Sequence, residues 1–291
     1  MPMAAQPNAQ SAFEPATYVD TFVEVDGLRL HLQDYGTSGK PHMLCVHGGG
    51  ANAHWFDFVA QGFNADYHVR AVDLRGHGDS DWHDSDPPNY NYSRHAADLH
   101  ELTEKLDLRD FVLVGHSMGG MVSSVYTATY PGRARALIIV DSNLVMSPER
   151  IASFQAVADR PARDYATQEE FIATYRVRPG ASTAPAAALR HLARHSGRQF
   201  DDGRWRHKVD RRTYANREPV DSYGLWNRIK IPALLMKAGN SVRMTPESIV
   251  EIKSRAPQVK TTVVPDADHH ITLDNPAGFI RAAKEFLAGL P

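Results

Sequence analysis

One ten-residue segment, Phe111-Val-Leu-Val-Gly115-His-Ser117-Met-Gly119-Gly120, constrains this chain more than any other. Four apolar residues suited to a buried strand run straight into Gly-x-Ser-x-Gly. Met121 to Tyr130 then reads as a helix, stopped by Pro131-Gly132. A serine on a sharp strand-to-helix turn adopts strained backbone angles, and flanking glycines remove the side chains that would clash. Its hydroxyl then stands above the sheet, and the next N–H lies at a helix start, where negative charge is stabilised. Ser117 is therefore read as a nucleophile and the Met118 N–H as an oxyanion donor. The competing reading is a serine that merely closes a turn, and the strand before and helix after it argue against that.

The rest of the sequence supplies the sheet that such a turn needs. Met43-Leu-Cys-Val, Val69-Arg-Ala-Val, Leu137-Ile-Ile-Val and Ala233-Leu-Leu-Met are short, nearly continuous apolar runs, and Thr261-Thr-Val-Val resembles them. Such runs suit strands covered on both faces, and strand–helix alternation gives a mostly parallel sheet flanked by helices. Ahead of them, Phe22-Val-Glu-Val, the turn signal Asp26-Gly27 and Leu28-Arg-Leu-His-Leu predict an antiparallel hairpin. Residues 1–18, rich in Ala, Gln, Asn and Pro, read as a flexible tail. Between Val140 and Ala233 lie roughly ninety residues, too many for an ordinary crossover. Helical-looking stretches there, from Glu149 and from Ala186, predict a mainly helical insertion. The expected organisation is an α/β core from 19–143 and 225–291, with a helical cap at 144–224 that roofs the crevice beyond the strand ends.

Composition narrows the function classes. A net charge of −2 does not suit a general nucleic-acid binder. The single cysteine, Cys45, rules out an internal disulfide and a Cys-based zinc cluster. No stretch approaches the apolar length of a membrane-spanning helix, and the N-terminus lacks a signal-peptide pattern, so a cytoplasmic location is expected. There is no Walker loop, GxGxxG or HExxH, and neither a nucleotide, a metal nor another cofactor is expected. Oligomeric state leaves no sequence signal.

A second glycine cluster, His47-Gly48-Gly49-Gly50, follows the run Met43 to Val46. Glycines there let backbone N–H groups approach a bound oxygen closely. Gly49 is the expected second oxyanion donor, with Gly48 and Gly50 shaping the loop.

The order of this HGGG segment, then Val72-Asp-Leu-Arg-Gly-His-Gly-Asp-Ser80, then GHSMGG, then a late Asp-His-His-Ile-Thr-Leu-Asp-Asn-Pro276, resembles the α/β-hydrolase superfamily. The resemblance runs from about Phe22 to the C-terminus and is weakest in the insertion. It implies that the Asp73–Ser80 turn is scaffold, so His77 and Asp79 are read as structural. It implies a catalytic histidine seven positions before Pro276, which selects His269 over His270, with Asp268 where a glycine is usual. The acid is displaced. The family's usual position follows the strand Ala233 to Met236, near Val242, yet Lys237-Ala-Gly-Asn-Ser-Val-Arg-Met-Thr-Pro246 holds no carboxylate. Glu247 comes too late, and Asp266 and Asp268 adjoin His269 too closely in the chain to wrap back onto its ring. Some members carry the acid after the strand that follows the nucleophile helix, and Asp141 occupies that position.

The sequence thus implies a serine hydrolase acting on a small carboxylic ester or lactone, with Ser117, His269 and Asp141 as its triad. Trp55, His116 and Leu144, with Gly48 and Gly50, are expected substrate contacts. Carbon–carbon bond hydrolysis, cofactor-free haloperoxidase-like chemistry and a non-catalytic ligand-binding member are the alternatives. The basic stretch Arg204-Trp-Arg-His-Lys208 with Arg211-Arg212 reads as a solvated face, with contact to an anionic substrate or docking of the cap as the alternatives.

Overall fold

The computed structural model describes residues 13–84, 89–143, 145–146, 148–215 and 220–290. Its main sheet is built from β1 (Val19–Val25), β2 (Leu28–Asp34), β3 (His42–Val46), β4 (His68–Val72), β5 (Phe111–His116) and β6 (Ala134–Val140). Helices α1 (Tyr92–Lys105) and α2 (Met118–Thr129) connect the later of these. The chain then leaves the sheet for α3 (Pro148–Ala158), α4 (Gln168–Thr174), α5 (Ala186–Ser196), a small hairpin of β7 (Gly197–Gln199) and β8 (Trp205–His207), and α6 (Ser222–Trp226). It returns through β9 (Ala233–Ala238), α7 (Pro246–Arg255), β10 (Val259–Val264), α8 (Ile271–Asp274) and α9 (Pro276–Ala288). The spatial strand order is β1-β2-β4-β3-β5-β6-β9-β10. The pairs from β4 to β10 run parallel, while β1, β2 and β4 pair antiparallel.

The apolar runs are continuous because successive side chains enter two different cores. Met43 and Cys45 of β3, Val112 and Val114 of β5, and Ile138 and Val140 of β6 join the core that holds α9. Their neighbours Leu44, Val46, Leu113, Leu137 and Ile139 join the opposite core with α1 and α2. Burial pushes the Cys45 thiol far up from its ordinary range.

One expectation is corrected and another gains detail. The tail is not loose to residue 18: Ala16 is buried, its N–H donates to the Asp57 carbonyl at 2.8 Å, and Phe13 packs on Phe58. These small and aromatic residues have apolar surface to bury, which the polar composition of residues 1–18 as a whole conceals. The segment between β6 and β9 also carries the β7–β8 hairpin and bridges from Tyr165 to Trp205 and from His77 to Val209. Strands of three residues are too short to leave a periodicity. This segment docks on the core through α5, where His191 donates to Asp57 at 2.6 Å; His54 shares the same carboxylate oxygen at 2.8 Å. No helix among the described residues is long and apolar enough to cross a membrane.

Asp73, just beyond β4, fixes the loops around the sheet's carboxyl edge. Its buried carboxylate accepts from His31 Nδ1 at 2.7 Å, the Ala53 N–H at 2.7 Å and the Asp79 N–H at 2.8 Å. Burial opposes charge on His31, but Asp73 overrides it and holds the imidazole up at about 9. The contribution of His31 is therefore fully present below pH 6.5 and lost as pH rises through about 9. Asp73→Asn should lower the unfolding free energy by about 3 kcal/mol near neutral pH, by urea denaturation. The deficit should narrow above pH 9. A variant within about 0.5 kcal/mol of wild type would show that Asp73 does not hold these loops.

Candidate active site

Ser117 sits between β5 and α2 with φ +52° and ψ −115°, a left-handed conformation that side-chain-bearing residues rarely adopt. Two glycines make room for the turn. A Cβ at Gly119 would lie 2.3 Å from the Val46 carbonyl oxygen, and one at Gly115 would lie 2.4 Å from the Gly119 carbonyl oxygen. Strand β3, the turn and α2 can close on one another only without those carbons. The Ser117 N–H donates to the Val140 carbonyl at 3.0 Å, and Ser142 Oγ donates to the Ser117 carbonyl at 2.6 Å.

His269 arrives on the loop after β10. Ser117 Oγ donates to its Nε2 at 2.9 Å, and its Nδ1 donates to Asp141 Oδ2 at 2.8 Å. Asp141 follows β6 and is buried, and its Oδ1 accepts the Ala238 N–H at 3.1 Å. Among the described residues, Asp141 is the carboxylate that pairs with His269. Glu247 is exposed at the start of α7, and the Asp268 N–H turns instead to Asp274 Oδ2 at 3.0 Å. Val242 is 87% exposed, so a carboxylate grafted there would face solvent.

Two adjoining cavities of about 140 and 230 Å³ meet at Ser117 and His269. Gly48, Gly49, Gly50, Trp55 and His116 border the first, and Gly49 and Met118 border the second. Trp55 is buried, with an indole N–H that finds no partner. His116 is more a support than a wall: its Nε2 donates to the His269 carbonyl at 2.9 Å. His270 reaches the Pro179 carbonyl at 3.0 Å. Leu144 lies outside the described residues. His77 is buried and contacts the Arg75 carbonyl, and Asp79 pairs with Lys208 at 2.6 Å, as suits scaffold.

Of the arginines around the cavities, only Arg211 falls in a stretch that the sequence singles out. Arg176, Arg178 and Arg211 line the first cavity, and Arg178 and Arg243 the second. The basic stretch read as solvated is mostly paired: Arg206 with Asp164 and Asp202, Lys208 with Asp79, and Arg212 with Asp210.

Burial, then the Arg243 guanidinium, His270 and Arg150, hold the His269 imidazole below its ordinary range. Burial pushes the Asp141 carboxyl up, while the Ser241 hydroxyl and the Ala238 N–H favour its charged form. Chemically this is a neutral imidazole, oriented by a carboxylate, accepting from a serine hydroxyl. Two histidine clusters have ligand atoms close enough for a metal, His116/His269/His270 and His54/His191/His195. In the first, His269 has both nitrogens engaged and the other two donate to backbone carbonyls. In the second, His54 and His191 are held by Asp57.

A family model described as alpha/beta hydrolase fold matches residues 41–276. An esterase of Mycobacterium tuberculosis, Rv0045c, is 27% identical, with 85% of this chain and 83% of that protein covered. A 2-(acetamidomethylene)succinate hydrolase of Mesorhizobium japonicum is 24% identical over 93% of this chain and 95% of its own. The crystal structure of an E-2-(acetamidomethylene)succinate hydrolase superposes with a TM-score of 0.82 at 22% identity, covering 94% of this chain and all of that one, and so shares the fold.

Phosphonylation of Ser117 by a fluorophosphonate reads this arrangement directly. Because the His269 pKa is depressed, its neutral form persists below pH 6.5, so the acid limb of the labelling rate should lie below that pH. Asp141→Asn presents an amide that can donate to the ring, favouring the wrong tautomer. Its labelling rate should fall by up to about 10⁴. An Asp141→Asn rate within a few-fold of wild type would remove Asp141 from the relay.

Proposed function

The chain belongs to the alpha/beta hydrolase fold family, and within it we propose a serine hydrolase that cleaves a carboxylic ester or lactone through an acyl-enzyme on Ser117. The observation that carries this reading is the unbroken relay of 2.9 Å from Ser117 Oγ to His269 and 2.8 Å from His269 to Asp141, on a strained turn at the meeting point of two cavities.

Ser117 Oγ attacks the ester carbonyl carbon as His269 Nε2 takes its proton, and Asp141 stabilises the imidazolium. Backbone N–H groups of Gly49 and Met118 receive the oxyanion of the tetrahedral intermediate. Collapse breaks the carbon–oxygen bond, and His269 returns the proton to the departing alkoxide. Water then gives a proton to His269 and attacks the acyl carbon, releasing the acid and restoring the Ser117 hydroxyl. The segment from α3 to Tyr214 acts as a cap: Val157, Tyr175 and Tyr214 from it close the cavities over Ser117.

Ser117→Ala should abolish fluorophosphonate labelling and reduce ester and lactone turnover to a residue of roughly 10³–10⁴ over the uncatalysed rate. Circular dichroism should be unchanged, since the lost group is one hydroxyl. Turnover at the wild-type rate in this variant would end the reading.

A further inference from the structure

The loop after β9, which carries no carboxylate, carries Arg243. Arg243 is partly buried, and its guanidinium acts electrostatically on both His269 and Asp141. It lines the larger cavity beside Ser117. Arg178 borders both cavities, and Arg176 and Arg211 border the other. Among the described residues no Asp or Glu lines either cavity, and neither Arg243 nor Arg178 has a carboxylate partner. Arg176 and Arg178 are exposed at the mouth and Arg211 is partly buried, and Arg176 and Arg211 give hydrogen bonds to backbone carbonyls. Burial and Arg150 both work against the charge on Arg243, and the carboxylate that favours it, Asp141, is already paired with His269. A half-buried cation that must share an engaged carboxylate is costly unless something else supplies negative charge.

We propose that the substrate supplies it: an ester or lactone bearing a second, free carboxylate, which Arg243 and Arg178 hold while its reacting carbonyl lies at Ser117. This rests on Ser117 being an ester-cleaving nucleophile, because that role brings the distal carboxylate into the arginine-lined cavity. Guanidinium forks match a planar carboxylate with two parallel hydrogen bonds. Met121, Met146 and Phe154 give the wall an apolar stretch beside the polar Ser142 and Asn143, which suits a short hydrocarbon spacer between the two functional groups. The bound carboxylate has a second effect. The groups facing His269 are Asp141 after β6, His116 at the end of β5, the adjacent His270, Arg243 after β9 and Arg150 on α3. Compensating Arg243 removes part of the cationic field that opposes the imidazolium, so an anionic substrate eases the proton transfer it needs.

Ethyl hydrogen glutarate and its near-isosteric neutral counterpart, ethyl 5-methylhexanoate, separate charge from shape. Wild-type kcat/KM, read by ethanol release, should favour the hemi-ester by about tenfold or more. Arg243→Gln should reduce that ratio by about tenfold, mainly through KM, and Arg243→Lys should keep part of it. In Arg243→Gln the acid limb of kcat/KM should also move to higher pH, which loss of packing alone would not produce. Binding is read without chemistry by calorimetry of succinate, glutarate and adipate on Ser117→Ala, and should weaken on adding Arg243→Gln. No preference in wild type, an unaltered preference in Arg243→Gln, or no binding of any of the three dicarboxylates would overturn the proposal. If Ser117 still takes up fluorophosphonate in that case, the nucleophile stands and only the anion site falls. Arginine-dependent dicarboxylate binding with an unlabelled Ser117 would mean the reverse.

Discussion

The parallel ladder between β5 and β6 is what the site depends on. His116 stands opposite Val140, the last residue pair of the two strands, so the next residues on each, Ser117 and Asp141, emerge side by side. Backbone bonds continue one step further, from the Ser117 N–H to Val140 of β6 and, in the neighbouring β6–β9 ladder, from the Asp141 N–H to Met236. Ser117 and Asp141 are thereby fixed by backbone hydrogen bonds before either side chain does anything. The histidine has only to be delivered between them, which the loop after β10 does. A one-residue change in register between β5 and β6 would move the acid out of reach of the ring.

The field around that histidine is unusual for a relay of this kind. Partly buried arginine from the loop after β9 and a second from α3 surround a neutral ring whose work requires it to become cationic. The opposing influence is a single carboxylate, itself buried and hydrogen-bonded to an N–H of β9. The loop after β9 holds no carboxylate, and through Arg243 it shapes the charge seen by both His269 and the cavity. The acid position and that loop are therefore coupled electrostatically, beside the hydrogen bond that links the Ser241 hydroxyl of the loop to Asp141.

What could be read from the sequence follows from how local each signal is. The turn at Ser117 is legible because strand, glycines and helix are contiguous, and His269 through the resemblance, whose histidine-to-proline register spans a short stretch ending at Pro276. Asp141 is legible only through a resemblance and an empty loop, since an aspartate at a strand end has no pattern of its own. Of the cavity arginines, Arg211 was visible only as part of a basic stretch read as solvated, and the others were not legible. Arg178, Arg211 and Arg243 are far apart in the chain, and nothing local separates them from Arg206, which spends its charge on Asp164 and Asp202. The anchoring of Ala16 and the three-residue strands β7 and β8 were invisible for a related reason: each is made by contacts with distant segments.

Cys45 gives the molecule a practical property. Its thiol lies in the middle of β3, sealed between sheet and helices, and burial keeps it protonated far above neutral pH. Maleimides and iodoacetamides react with thiolates that they can reach, so the native chain offers them almost no target. Any thiol introduced on the surface becomes a single addressable point. Val242, exposed on the loop that carries Arg243, is the natural place for one: a dye at Val242→Cys would report by its fluorescence whether that loop shifts when the cavity fills, against a silent background.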